Sequence, residues 1–105
     1  MAMIQTGTVE LDSNKPSSTT PKDTSTFTQV NFPTPFPSGS KVAVVPMTQT
    51  FNGPQTPGLR IADVTPTGFK IKINETVVDK SGTHNALSDG IHAQETIGWI
   101  AFTTA

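Results

Sequence analysis

Apolar and polar residues alternate with a period of two in several parts of the chain. No window sustains the three-and-four spacing of an amphipathic helix, so strands are predicted throughout. The clearest case places Phe69, Ile71 and Ile73 on one face and Lys70, Lys72 and Asn74 on the other, a half-solvated strand. Residues 4–11 form a first strand with Val9 and Leu11 on one face and Thr8 and Glu10 on the other. A second spans 27–32, with Thr28, Val30 and Phe32 sharing a face. Residues 41–51 make the longest apolar strand, and Pro46, which has no N–H for a ladder, requires a bulge or a sheet edge there. A short strand covers 59–64. The last strand, 95–102, is apolar on both faces: Ile97, Trp99 and Ala101 on one, Ile100 and Phe102 on the other. One face is expected to meet the core and the other a neighbouring subunit or a covering loop.

Turn chemistry separates these strands. Residues 12–23, DSNKPSSTTPKD, form a polar loop; FPTPFPSGS turns the chain; and Asn52-Gly53-Pro54 ends the long strand. Thr65-Pro66-Thr67-Gly68 is a tight turn in which Gly68 is expected to take a positive φ, and 79–90 reads as an exposed loop. Short strands at close intervals, without an internal repeat, predict one antiparallel all-β domain over 1–105, a sandwich or a barrel.

Composition narrows the picture. With 105 residues and 33% hydrophobic content the core is thin. Phe27, Phe32, Phe36, Phe51, Phe69, Phe102 and Trp99 are expected to supply most of the buried area. A domain of this size buries roughly two-thirds of its extended-chain surface, which favours association with further copies of itself. A formal charge of −1 with scattered Lys and Arg leaves no basic stripe, so nucleic acid and anionic membranes are poor partners and neutral ones fit better. The absence of Cys excludes a disulfide framework and thiol catalysis. MAMIQTGTVEL lacks the basic start and apolar run of a signal peptide, and no apolar stretch approaches the ~20 residues of a membrane span. A protein of this kind working outside a cell leaves by another route or arrives in a particle such as a virion.

No constellation supports catalysis. His92 and Glu95 form an H-x-x-E unit, but on a regular strand a spacing of three puts them on opposite faces, which is wrong for joint metal ligation. By parity Glu75 and Glu95 both point toward apolar faces, and Arg60, the only Arg, is the expected partner in a network that fixes strand register or a subunit contact. Asn74-Glu75-Thr76 matches a glycosylation sequon on a predicted strand, and the Gly-containing turns lack the context of phosphate loops.

Taken together, IQTGTVEL, VNFPTPFPSGSKVAVVPMTQT, DVTPTGF and the closing TIGWIAF resemble the H-type lectin domain of snail agglutinins and of the C-terminal domain of discoidins. A bacterial and phage-like variant is more similar still, through TFNG at Thr50 to Gly53, a following Arg60, Gly68-Phe69, the strand-end Glu75 and H-x-x-E-T at His92 to Thr96. The resemblance implies a six-stranded antiparallel β-sandwich that forms a homotrimer and binds glycans of the N-acetylgalactosamine type near subunit boundaries, with no cofactor. It implies sugar contacts at Asp23, Arg60, Glu75, Thr76 and His92, and a subunit seam at Ile97, Trp99, Ile100 and Phe102. Thr76 and Val77 stand where a Trp-His pair contacts sugar in the snail lectins, so the stacking aromatic is missing from that place. Two functions follow as expectations: a lectin-like adhesion module, extracellular or on a virion surface, or a bacteriophage virion protein (tail-tip, fibre or capsid-surface trimer) that uses the fold for assembly or host attachment alongside other virion proteins.

Overall fold

A computed structural model of the chain describes residues 3–14, 21–54, 56–74, 77–78, 86–87 and 91–104. They form eight strands: β1 (Ile4–Asn14), β2 (Thr28–Asn31), β3 (Val42–Thr48), β4 (Gly58–Thr65), β5 (Gly68–Asn74), β6 (Val77–Val78), β7 (Ala86–Leu87) and β8 (Ile91–Thr103). The fold is all-β. Two antiparallel three-stranded sheets have the orders β1-β8-β3 and β2-β5-β4, and β6 pairs with β7 in a small separate ribbon. The ribbon places 86–87 in a strand within the segment expected to be a loop; the rest of 79–90 lies outside the described residues.

Both sheets feed one core. Leu11, Val44, Ile97, Trp99 and Ala101 come from the first sheet and Phe69, Ile71 and Ile73 from the second, with Phe32 and Phe36 from the connection after β2. The aromatic rings interlock, since Phe32 lies 5.2 Å from Phe36, 5.8 Å from Phe69 and 5.6 Å from Trp99 between centroids, and Phe69 meets Trp99 edge-on at 5.7 Å. The β4–β5 turn holds this connection in place: Phe32 N–H donates to the Thr67 carbonyl and Phe36 N–H to that of Pro66. Gln5 grips the same segment through its amide, donating to the Thr34 carbonyl at 2.7 Å and accepting from Thr34 N–H at 3.4 Å. Burial of the expected aromatics is uneven. Phe27 and Phe102 are half-buried, and Phe51 is 89% exposed because the long strand stops at Thr48 and the chain turns away before reaching it.

The expected alternation holds in β1, where Val9 and Leu11 face in and Thr8 and Glu10 face out, and in β5, where Phe69, Ile71 and Ile73 are buried. Lys72 faces away from the core yet is also buried, so the outer face of β5 is less solvated than alternation implies; a period of two reports direction, not what covers the surface. Pro46 sits in β3, which among the described residues pairs only with β8 and is therefore an edge; its register runs unbroken through Pro46↔Trp99, so the edge accommodates it and no bulge is needed.

Gly68 and Gly7 are both set by close packing. Gly68 does not take a positive φ; Asp63 does, at 51°, within a bulge of β4 between Ala62 and Thr65. Gly68 is small because β2 crosses it closely, and a Cβ there would overlap the Val30 carbonyl oxygen. Gly7 lies opposite Trp99 across the β1–β8 pair, and a Cβ there would overlap the indole at Cζ2. Trp99 Nε1 is buried and has no hydrogen-bond partner among the described residues.

Ile97 and Trp99 are 0% and 4% exposed and belong to the core, which corrects their assignment to a subunit seam: the inward parity of β8 consumes them. The outward parity carries Ile100 and Phe102. Register aligns Ile4, Phe102 and Ala43 in one row, Thr6, Ile100 and Val45 in the next, and Thr8, Gly98 and Met47 beyond. Ile4, Val45, Met47 and Ile100 are exposed, so these rows put apolar side chains on the outer face of β1-β8-β3.

Candidate functional site

An organised polar cluster among the described residues forms where β8 loses its regular pleat. From Leu11 to Ser13 β1 advances two residues, while its partners Glu95 and His92 are three apart, so β8 carries an extra residue at Ala93-Gln94. The bulge reverses parity. His92 and Glu95, expected on opposite faces, therefore both turn inward, and both are buried at 4% and 1% exposure.

A buried carboxylate is costly unless every lone pair is used. Glu95 meets that demand with the loop after β3. Its Oε1 accepts from Thr50 Oγ1 at 2.7 Å and from Asn52 N–H at 2.9 Å, and its Oε2 accepts from Gly53 N–H at 3.0 Å. Asn52 Nδ2 donates to the Gln94 carbonyl at 2.7 Å, Gln49 N–H to that of Thr96, and Thr96 N–H to Thr50 Oγ1 at 2.9 Å. Gly53 is buried against the bulge, where a Cβ would lie 3.2 Å from that of Ala93, so a side chain there would have to push the bulge back by a few tenths of an ångström. The Thr50 hydroxyl contributes most to holding the Glu95 carboxyl below its ordinary pKa, against the opposing effect of desolvation; the Asn52 and Gly53 amides and nearby His92 assist. His92 Nδ1 lies 2.7 Å from the Ala93 carbonyl oxygen, which can only accept, so Nδ1 carries a proton; it is 4.0 Å from Glu95 Oε2.

For Glu95 this replaces the expected pairing with Arg60; the Glu75 alternative lies outside the described residues. Glu95 is satisfied by backbone amides and a hydroxyl, while Arg60 is exposed on the opposite side of β4 from Leu59 and Ile61, which pack on the core. Arg60 faces outward beside Lys72, its cross-strand neighbour. Lys70, two residues before Lys72, donates to Thr24 Oγ1 at 3.3 Å and pairs with Asp63 at 3.4 Å. Asp23 adjoins Thr24 and accepts from Ser25 N–H at 3.1 Å. Among the residues implied as sugar contacts, Arg60 lies on the outer side of β2-β5-β4, and Asp23 lies in the loop before β2, next to the Thr24 that Lys70 reaches. His92 is enclosed with Glu95, away from them. Glu75 and Thr76 lie outside the described residues.

Beside the clamp is a cavity of about 210 Å³ lined by Thr48, Thr50, Phe51, Pro54, Thr56 and Pro57, with Glu95 contributing to the wall. The exposure of Phe51 places its ring at the rim. Alternation could not have found this site, because a loop and a bulge bring its parts together. The signal was in the two motifs TFNG and H-x-x-E-T, whose meaning is their mutual contact. Among the described residues no group of three or more His, Asp or Glu could hold a metal ion, and no helix is long and apolar enough to cross a membrane.

No family model and no solved structure matches the chain. Over 80 residues, 76% of its length, it is 34% identical to part of halomucin from Haloquadratum walsbyi, and it spans about 1% of that protein.

Proposed function

We propose that this chain is a carbohydrate-binding, lectin-like adhesion module that acts as a homotrimer, on the six-stranded sandwich of the H-type lectins, at a cell exterior or a virion surface. The observation that carries this reading is the Glu95 clamp: TFNG and H-x-x-E-T, two motifs on which the resemblance rests, form one hydrogen-bonded unit although Gly53 and Glu95 are 42 residues apart. Their contact supports the reading, because the two motifs act as parts of one structural unit. Similarity to a short stretch of a far longer protein fits a module that can be carried within larger chains.

In this reading the sugar site lies on the outer side of β2-β5-β4. Arg60 donates to sugar hydroxyls or an N-acetyl carbonyl, Asp23 accepts, and Glu75 and Thr76 follow directly at the end of β5. Buried His92 supports the fold instead of touching sugar. Subunits associate through the outer face of β1-β8-β3, using Ile4, Val45, Ile100 and Phe102, and association multiplies individually weak sites. Neither role uses a catalytic group. Light scattering on the purified protein, with a glycan array probed by the same sample, tests both halves: a trimer retaining N-acetylhexosamine glycans is expected.

The apolar outer face also favours a second reading, a virion structural trimer that needs no sugar. A stable trimer that is silent on the array would select it.

A further inference from the structure

We infer that the Phe51 cleft is a second sugar subsite, which binds one neutral pyranose ring by stacking it on the phenyl face. This rests on the carbohydrate-binding reading but uses residues apart from Arg60 and Asp23.

Three observations lead to it. Phe51 is the most exposed large hydrophobic residue described, and a phenyl ring held in water gains by covering one face. Its backbone is held on both sides: Thr50 is fixed by Glu95 and Thr96, and Asn52 by Glu95 and Gln94. Little backbone freedom therefore remains to be lost there when a ligand arrives. Finally, the adjoining cavity of about 210 Å³ has the lining a pyranose requires. Pro54 and Pro57 offer apolar surface to the C–H face of a sugar, and the hydroxyls of Thr48 and Thr56 can donate to or accept from its ring substituents. Among the described lining residues there is no cation, and Glu95 is one of them, so neutral sugars fit better than acidic ones.

The ring itself supplies the test. The probe is albumin bearing multiple N-acetylgalactosamine groups, titrated against the wild-type protein and Phe51→Ala, Phe51→Trp and Arg60→Ala. Since the Phe51 side chain is in water, Phe51→Ala should keep the wild-type circular dichroism spectrum and Tm. Its affinity should fall by about two- to tenfold, the order expected when an aromatic contact is removed. Phe51→Trp should bind at least as well as wild type, and its added indole should change emission on titration with the probe. Wild-type binding with an unaltered Phe51→Ala titration would overturn this subsite and leave the lectin reading standing. Failure of the wild type to bind would overturn both. Loss on Arg60→Ala together with an unchanged Phe51→Ala would confine binding to the first site.

Discussion

Gly7 and Trp99 face each other across the β1–β8 pair, and replacing Gly7 with Ala measures how tightly the core is fitted around the indole. A Cβ at position 7 would overlap Cζ2 and lie 2.7 Å from Cε2 and 3.1 Å from Nε1. The indole has little room to retreat, because Phe32 and Phe69 stand 5.6 Å and 5.7 Å from it and it is 4% exposed. Overpacking of this kind costs about 1–3 kcal/mol. Alanine recovers roughly 0.5–1 kcal/mol over glycine through lower chain entropy in the unfolded state. The net loss spans about 0–2.5 kcal/mol and centres near 1.2 kcal/mol, which in a domain of this length lowers Tm by roughly 5–10 °C. Trp99 is the only tryptophan, so its fluorescence reports the same event twice. A denaturant titration should show a lower midpoint with an unchanged m value, and folded-state emission should shift as the ring is displaced. A Gly7→Ala protein as stable as wild type with unshifted emission would refute the packing argument.

Gly68→Ala should cost more than Gly7→Ala, because the obstacle is the Val30 backbone carbonyl and β2 must unpair to yield; amide exchange in 28–31 should rise. Glu95 has a depressed folded pKa, so it contributes stability that is complete above its unfolded value and is lost as pH falls through the lower folded one. The acid limb of a Tm-against-pH curve should therefore flatten in Glu95→Gln, and an identical limb would show that the clamp adds nothing to acid sensitivity. Ile100→Lys places a charge in the middle of the outer rows of β1-β8-β3; light scattering should report dissociation to monomers with circular dichroism unchanged, and an intact oligomer would place the seam elsewhere.

Much of the fold was legible because the period of two survives wherever a strand has one buried face. Phe69, Ile71 and Ile73 on β5, and Ile97, Trp99 and Ala101 on β8, face inward as alternation predicts. Parity failed where pairing added a residue. His-Ala-Gln-Glu contains no Gly or Pro to announce a bulge, yet the insertion at Ala93-Gln94 turns His92 to the side of Glu95 and changes an unlikely pair into adjacent groups. The partner of Glu95 was missed for a related reason: seeking a cation led to Arg60, whereas a carboxylate is equally well satisfied by N–H groups of a distant loop. Phe51 shows the limit of composition, since an aromatic residue belongs to the core only if its strand continues far enough to deliver it there.

The central claim is that this fold binds sugar through its outer surface. A glycan array probed with the purified oligomer at high avidity tests it most directly. The account predicts retention of N-acetylhexosamine-terminated glycans and their loss in an Arg60→Ala protein that keeps its oligomeric state. An array on which the intact oligomer retains no glycan would contradict it.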